Sequence, residues 1–246
     1  MASTQSSVPR VSRTALFGFF IGLFSCLLLA LDGPAYRLHV WGLEFALLIV
    51  IPCALLLGLV ALLLSIVGAV RSRSGRGLAL AGIVLGLIAA GMPLNSIRLA
   101  QHSPIHDVTT DTVNPPQFSA VLPQRAAVQH ANPTDVDPKT IQLQKQVYPD
   151  IAPVHLAVPP SQAFERALST ARGMGWEIAA TDPGQGRIEA TATTFWFGFK
   201  DDVVLRIAAD GTGSRIDMRS ISRIGGSDVG ANARRVRDFF GRLSAG

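Results

Sequence analysis

The sequence is poor in charge and nearly without cysteine. Of 246 residues only 16% are Asp, Glu, Lys or Arg, while 48% are hydrophobic and mean hydropathy is +0.34. An average soluble chain carries about a quarter charged residues, so an ordinary water-soluble globule is excluded. The two cysteines, Cys26 and Cys53, both fall in apolar runs. The rest of the chain therefore has neither a disulfide framework nor thiolate metal chemistry. No Gly-x-Ser-x-Gly, Ser-x-x-Lys or phosphate-loop pattern occurs, and no cofactor is expected. Acidic residues are scarcest at the front: residues 1–100 hold 7 basic and 2 acidic side chains, against 15 and 15 in the remainder. The polar half thus lacks the concentrated basic face of a nucleic-acid binder.

Three long uncharged runs are present: 14–31, 45–70 and 77–97. A helix needs about 20 apolar residues to cross the hydrocarbon core, so each is read as a transmembrane helix and the bilayer as the first partner. The first run exceeds a signal-peptide core of about 7–15 residues and is not closed by a small-x-small cleavage pattern. Arg10, Arg13, Arg71, Arg73 and Arg76 flank one side of these helices, against Arg37 on the other. The positive-inside rule then puts residues 1–13 in the cytoplasm and everything after about Arg98 outside a bacterial inner membrane, in the periplasm. Tyr36, His39 and Trp41 suit the outer interface, with Glu44 as a hydrated boundary residue. Gly82 and Gly86 form a small-xxx-small pair in the third helix, suited to a helix–helix contact within the chain or with a partner. No polar stripe crosses the helices, which argues against a transporter.

Ten of the 15 prolines lie between Pro104 and Pro160. They predict an extended, mostly irregular tether over 101–148. From residue 149 to 246 the pattern becomes regular. Val154–Val158 reads as a strand, and a helix follows from a Ser161 cap with Phe164, Ala167, Leu168 and Ala171 on one stripe. Strands are expected over Trp176–Thr181, Arg187–Phe197, Val203–Ala209 and Ser214–Arg223, joined by Gly/Asp-rich turns, with Lys200-Asp201-Asp202 as one turn. A helix capped by Asp228 closes the chain. The order β-α-β-β-β-β-α predicts a two-layer α+β domain, an antiparallel meander with two flanking helices.

Several motifs in this half occur in order: Ile105-His106-Asp107, Asn114-Pro115-Pro116, Tyr148-Pro149-Asp150-Ile151, Gly186-Arg187-Ile188-Glu189-Ala190-Thr191, Trp196-Phe197-Gly198-Phe199-Lys200-Asp201-Asp202 and Arg219-Ser220-x-Ser222-Arg223-x-Gly225-x-x-Asp228-x-Gly230-x-Asn232. Together they resemble the DUF1499 family over roughly 104–243. The resemblance implies a bacterial envelope or organellar protein and carries no catalytic residues to transfer.

Alternation along the last strand puts Arg215, Asp217, Arg219, Ile221 and Arg223 on one face, with Ile216, Met218, Ser220 and Ser222 on the other. Arg206 of the neighbouring strand joins the arginine face. One reading is a solvated ladder of ion pairs involving Glu189 and Asp217. The other is a shallow anion or ligand site built from Arg206, Arg219, Ser222, Arg223, Ser227 and Asn232, with the amides that open the Asp228 helix. Asp228 counts against it, because a cap occupies those amides. Phe195, Phe197 and Phe199 share one strand face and Trp196 the other, so that one face is core and the other is aromatic surface for a groove or the bilayer. His102, His106, Asp107 and Asp111 form the weak metal-like cluster. Pro104 stops the two histidines from sharing a helical face, so metal binding is not expected. The functional reading is a non-enzymatic membrane protein that offers an α+β domain to an envelope protein, a lipid or an anionic ligand. The alternatives are an envelope enzyme with its site around Arg219–Asp228, and a scaffold subunit of a membrane complex.

Overall fold

The computed structural model describes residues 12–71 and 75–245. It divides between Arg98 and Leu99 into two compact units.

The first unit is helical. α1 spans Arg13–Arg37, opened by the Ser12 hydroxyl, which accepts the Ala15 amide. α2 (Leu43–Phe45), a π-helical turn at Ala46–Val50 and α3 (Ile51–Arg71) form one continuous rod, and α4 runs over Arg76–His102. The three rods, Arg13–Arg37, Leu43–Arg71 and Arg76–His102, are each long and apolar enough to cross a membrane. The apolar runs seen in the sequence lie inside them. Each helix continues past its run because the hydrogen-bond ladder does not stop where apolar composition does. Trp41 Nε1 donates to buried Asp32 at 3.1 Å and ties the α1–α2 hairpin. The buried stripes are small: Ala15, Gly18, Gly22 and Ser25 on α1, Ala54, Gly58, Ala61 and Ser65 on α3, Ala79, Gly82 and Gly86 on α4. A Cβ at Gly86 would lie 2.8 Å from the Gly58 carbonyl and the Leu62 amide; one at Gly82 would lie 3.0 Å from the Phe19 amide and overlap the Ser65 hydroxyl. These glycines face the chain's own helices, at the close approach that small residues permit. Arg10 and Arg73 of the expected cytoplasmic flank fall outside the described residues.

The second unit is α+β. Its strands are β1 (Asp107–Thr109), β2 (Val154–Leu156), β3 (Glu177–Asp182), β4 (Arg187–Thr193), β5 (Lys200–Asp210) and β6 (Gly213–Ser222). All pairings are antiparallel, in the order β1-β6-β5-β4-β3, with β2 also on β6. β1 covers Arg219–Ile221 and β2 covers Ser214–Ile216, so two three-residue strands lie end to end along the outer edge of β6. From Val154 onward the element order matches the sequence reading. α7 (Pro160–Gly173) and α8 (Ala231–Ala245) pack on one sheet face through Phe164, Leu168, Val236, Phe239 and Leu243. Trp176 stacks on Phe239 at 5.3 Å.

Three expectations are corrected. Segment 101–148 is not a tether but part of the domain: it supplies β1, the short α5 (Leu122–Ala126) and α6 (Pro138–Val147). Its prolines sit at helix starts and in loops, where a missing amide costs nothing. Phe118 and Val121 from this segment cover Val204 and Ile221 on the sheet face opposite α7 and α8. Secondly, β4 ends at Thr193, four residues early, so the aromatic run is a hairpin tip and not a strand. Thr194 closes it: its amide donates to the Phe199 carbonyl at 2.8 Å, its carbonyl accepts the Gly198 amide at 3.0 Å, and its hydroxyl accepts the Phe199 amide at 2.8 Å. Gly198 takes φ 71°, a left-handed conformation that favours glycine. Neither aromatic face is core: Phe195 is 86% exposed and Trp196 39%. Thirdly, with the tip at 194–199, Lys200-Asp201-Asp202 opens β5 and both aspartates are buried.

Candidate functional site

The arginine face is neither a solvated ladder nor an open site. Residues 107–137 close over it, and the charges pair beneath that cover. Arg219 is fully buried. Its Nε and Nη2 donate to the Asp107 carboxylate at 3.0 and 2.7 Å, Nη2 also to the Thr134 carbonyl at 2.8 Å, and Nη1 to the Pro116 carbonyl at 3.4 Å. Its guanidinium carbon lies 5.4 Å from the centre of the Phe118 ring. A guanidinium so enclosed has a counter-ion, two carbonyls and a π face, which is what a buried cation requires.

Along the sheet, Arg206 bridges Asp217 (2.9 Å) and Asp111 (2.8 Å), and Arg215 bridges the same two carboxylates at 2.9 and 3.0 Å. Burial works against the charge of Asp111, but the Asn114 and Val113 amides and the two arginines outweigh it and hold the carboxyl below its usual range. Asp107 and Asp111, read as weak metal candidates with His102 and His106, are thus arginine counter-ions. Among the described residues no group of three or more His, Cys, Asp or Glu could hold a metal. Buried Glu189 accepts the Ser119 and Val121 amides at 3.0 and 3.1 Å, with Arg187 beside it at 3.4 Å.

The third cluster is centred on Asp202. Arg125 from α5 reaches it at 2.7 Å, Arg223 grips both oxygens at 2.9 and 2.7 Å, and the Thr191 hydroxyl donates at 2.8 Å. Burial raises the Asp202 pKa, but the hydrogen bonds from Arg223, Arg125 and Thr191 prevail and leave it below the ordinary carboxylate value. This cluster opens to solvent. Arg223 and Thr191 line a groove of about 400 Å³ with Gln124, Glu177, Ile178, Ala179 and Lys200. Lys200 stands 3.8 Å from Glu177. The groove and its floor therefore hold three cations (Arg125, Lys200, Arg223) against two carboxylates (Glu177, Asp202). The clusters around Asp217, Arg219 and Glu189 are balanced.

On the helix-covered face, Asn232 is a hub. Its amide group donates to the Ser222 hydroxyl and the His106 carbonyl, both at 3.0 Å, and its oxygen accepts from Ser220 at 2.7 Å and from Arg235. Arg235 also pairs with Asp201 at 2.5 Å. The Ser227 hydroxyl donates to the Ser103 carbonyl at 2.9 Å. α8 begins at Ala231, three residues after the expected cap, but Asp228 still serves its first turn, its two oxygens accepting the Gly230 and Asn232 amides at 2.7 Å each. Burial is the main cause that pushes its carboxyl above the usual range, with Asp201 adding to the rise. Between them Val229 takes φ 49°, a left-handed conformation that a β-branched side chain rarely adopts.

The six candidate residues are therefore not one site. Ser222, Ser227 and Asn232 brace the turn before α8, Arg219 is sealed, Arg206 serves the Asp111–Asp217 cluster, and Arg223 alone of the six lines the groove. Lys200, Arg125 and Gln124 escaped the sequence reading. Lys200 looked like turn solvation, and Arg125 and Gln124 stood in what reads as a tether.

Three helices long and apolar enough to cross a membrane, followed by a small α+β domain that buries several of its ion pairs against the sheet, define a membrane protein of a recognisable kind. This one belongs to the DUF1499 family, described as "Protein of unknown function (DUF1499)", whose family model matches residues 107–243, more than half of the chain. The match begins at β1, so it includes the segment that covers the arginines. No curated protein matches the chain. Among solved structures it is similar to TTHA0849 from Thermus thermophilus, with 12% identity and a TM-score of 0.24 over 38% of this chain and 95% of that one.

Proposed function

We propose that this is a multi-pass bacterial inner-membrane protein, with a cytoplasmic N-terminus, that offers its α+β domain to the periplasm as a non-enzymatic binding module for an anionic envelope component. The surplus positive charge at the Lys200–Arg223 groove carries this reading. Elsewhere on the arginine face guanidinium and carboxylate groups are equal in number, Arg206 and Arg215 sharing Asp111 and Asp217, whereas here two arginines share Asp202 and Lys200 adds a third cation at a solvent-open wall. A phosphate or carboxylate head group entering the groove meets Lys200 first and Arg223 behind it, with the Thr191 hydroxyl alongside. The rule that loops rich in Lys and Arg stay inside supports the orientation, through Arg13, Arg71 and Arg76 at one end of the helices.

The enzyme reading centred on Arg219–Asp228 is less well supported. Arg219 is enclosed by Asp107, Pro116, Thr134 and Phe118, and both Asp228 oxygens already accept backbone amides. The test is native mass spectrometry of the full-length protein released from its own membranes, beside Lys200→Ala. Lys200 is only partly buried, at the start of β5, and among the described residues makes no ion pair with a buried carboxylate, so this variant keeps the fold. A defined anionic adduct present in the wild type and lost in Lys200→Ala is the expected result. An adduct held equally by both, or a bare mass in the wild type, overturns the groove as the binding site.

A further inference from the structure

The hairpin tip at 194–199 presents aromatic side chains outward on a braced loop. In the domain, over the described residues 103–245, four large apolar side chains are exposed: Val113, Leu122, Phe195 and Trp196. Two of the four are neighbours in this tip, with ring centres 6.3 Å apart. Behind them the Phe197 and Phe199 rings stack at 5.1 Å, nearly parallel. The three hydrogen bonds of Thr194 fix the backbone, so displaying Phe195 and Trp196 requires no ordering of a loose loop. Lys200 follows directly, its ammonium donating to Thr193 at 2.8 Å. An aromatic pair flanked by a lysine is the composition found where proteins meet the interfacial zone of a bilayer.

Chain connectivity limits how far the Asp107 end of the sheet can stand from the membrane crossing. Only residues 103–106 separate the end of α4 from β1, and they are pinned. Ser103 accepts from Tyr148 and Ser227, the Ile105 carbonyl accepts the Asp228 amide at 3.1 Å, and the His106 carbonyl accepts the Ser222 amide at 2.9 Å. Ten residues from the end of the apolar run at 97 to Asp107, half of them helical, span at most about 25 Å. β1 then runs away from the end at which the chain arrives. The register places the tip at that same end: Asp107 pairs with Ile221, Asp201 with Ser222, and Thr193 with Lys200. β1 and β4 are three strand spacings apart, roughly 15 Å across the sheet. The turn at Gly211 and Thr212 lies at the far end.

We propose that the 194–199 tip is a second membrane contact, seating Phe195 and Trp196 in the interfacial zone of the bilayer that α4 crosses. This contact rests on the membrane anchoring of the chain and is independent of the ligand groove and of the side on which the domain stands. It gives the domain an attachment to the bilayer besides its covalent link to α4.

The test uses full-length protein carrying Cys26→Ala and Cys53→Ala in phosphatidylethanolamine–phosphatidylglycerol vesicles. A nitroxide is attached at Phe195→Cys or, as the far-end control, at exposed Thr212→Cys. The expected result at position 195 is collision with oxygen several-fold favoured over collision with a water-soluble nickel chelate, and the reverse at 212. Equal access of the nickel chelate to both positions overturns the proposal. So does a label at 195 shielded from both reagents, which would mean that protein covers the tip, or a lipid signature at 212. Loss of the anionic adduct with an unchanged lipid signature at 195 would separate failure of the groove from failure of this contact.

Discussion

Asp202 shows how single residues hold this domain together. It is wholly buried between Arg125 and Arg223, and removing one partner of such a set leaves an uncompensated charge, at about 3–5 kcal/mol. Asp202→Asn is expected to destabilise the domain by that amount in denaturant unfolding of the detergent-solubilised protein; a loss below about 1 kcal/mol would show the arginines reaching water instead. The pH dependence has a definite sign. The Asp202 carboxyl is held below its unfolded value, so its contribution is complete above the ordinary range near pH 4 and is lost as pH falls through the depressed value. Wild type should lose stability more steeply on acidification than Asp202→Asn does. Arg219 and Asp107 invite a double-mutant cycle: Arg219→Met alone strands the carboxylate under the cover, and Asp107→Leu added to it should recover stability. Val229 offers a gain. Its left-handed backbone suits asparagine better than a β-branched residue, and Val229→Asn is expected to raise the unfolding midpoint by a free energy of about 1 kcal/mol. A lower midpoint would show that its side-chain packing outweighs the strain.

At the level of elements, the docking of α6 on β1 depends on Gln144. Its buried amide accepts the Thr109 N–H at 2.9 Å and donates to the Thr109 carbonyl at 2.6 Å, completing an edge strand that has no neighbour on that side. Gln144→Leu leaves two buried backbone groups unsatisfied, at about 1–3 kcal/mol each, and should speed hydrogen exchange at Thr109 while leaving Val203 in the central strand protected. This docking was invisible in the sequence, and the reason is physical. β1 has three residues, no alternation to detect and a partner more than 100 residues away, while the prolines around it read as a break. The meander was legible because short turns such as Asp210-Gly211-Thr212-Gly213 force adjacent strands together, and alternation then separated Ile216 and Met218 from Ile221 correctly. The candidate site was legible only in part. Period two put the arginines on one face, but no local pattern says that a distant segment will cover that face or that Arg125 will join Arg223 on Asp202. Likewise the run Thr194–Phe199 has strand composition apart from Gly198, and the left-handed turn there, with the hydrogen bonds of Thr194, makes it a tip. In the helical unit, Gly86→Leu drives a side chain into the Gly58 carbonyl and the Leu62 amide and should abolish a folded, monodisperse detergent complex, whereas Gly91→Leu, with open space beside it, should not.

The whole molecule is two materials in one chain: a helical part whose few charges are mostly basic and lie at the helix ends, and a domain in which acidic and basic residues are equal in number. The basic flanks of the helices are the part of this distribution that an orientation can depend on. A reporter fused after Gly246 is expected to be active in its periplasm-dependent form and silent in its cytoplasm-dependent form; the opposite pattern would reverse the proposed orientation.

The edge made by β1 also fixes an order of events in time. Asp107 and Arg219 are 112 positions apart, and at about 5–20 residues per second of synthesis the first strand exists for roughly 6–22 s before its partner is made. Through that interval the segment destined to cover the arginines has nothing to cover. Its prolines and unpaired acids make it a poor template for any other strand meanwhile. The β3–β4–β5 hairpins can form first, but the β1 edge can close only after the last strand is made, so the segment that covers the arginines is among the last to settle.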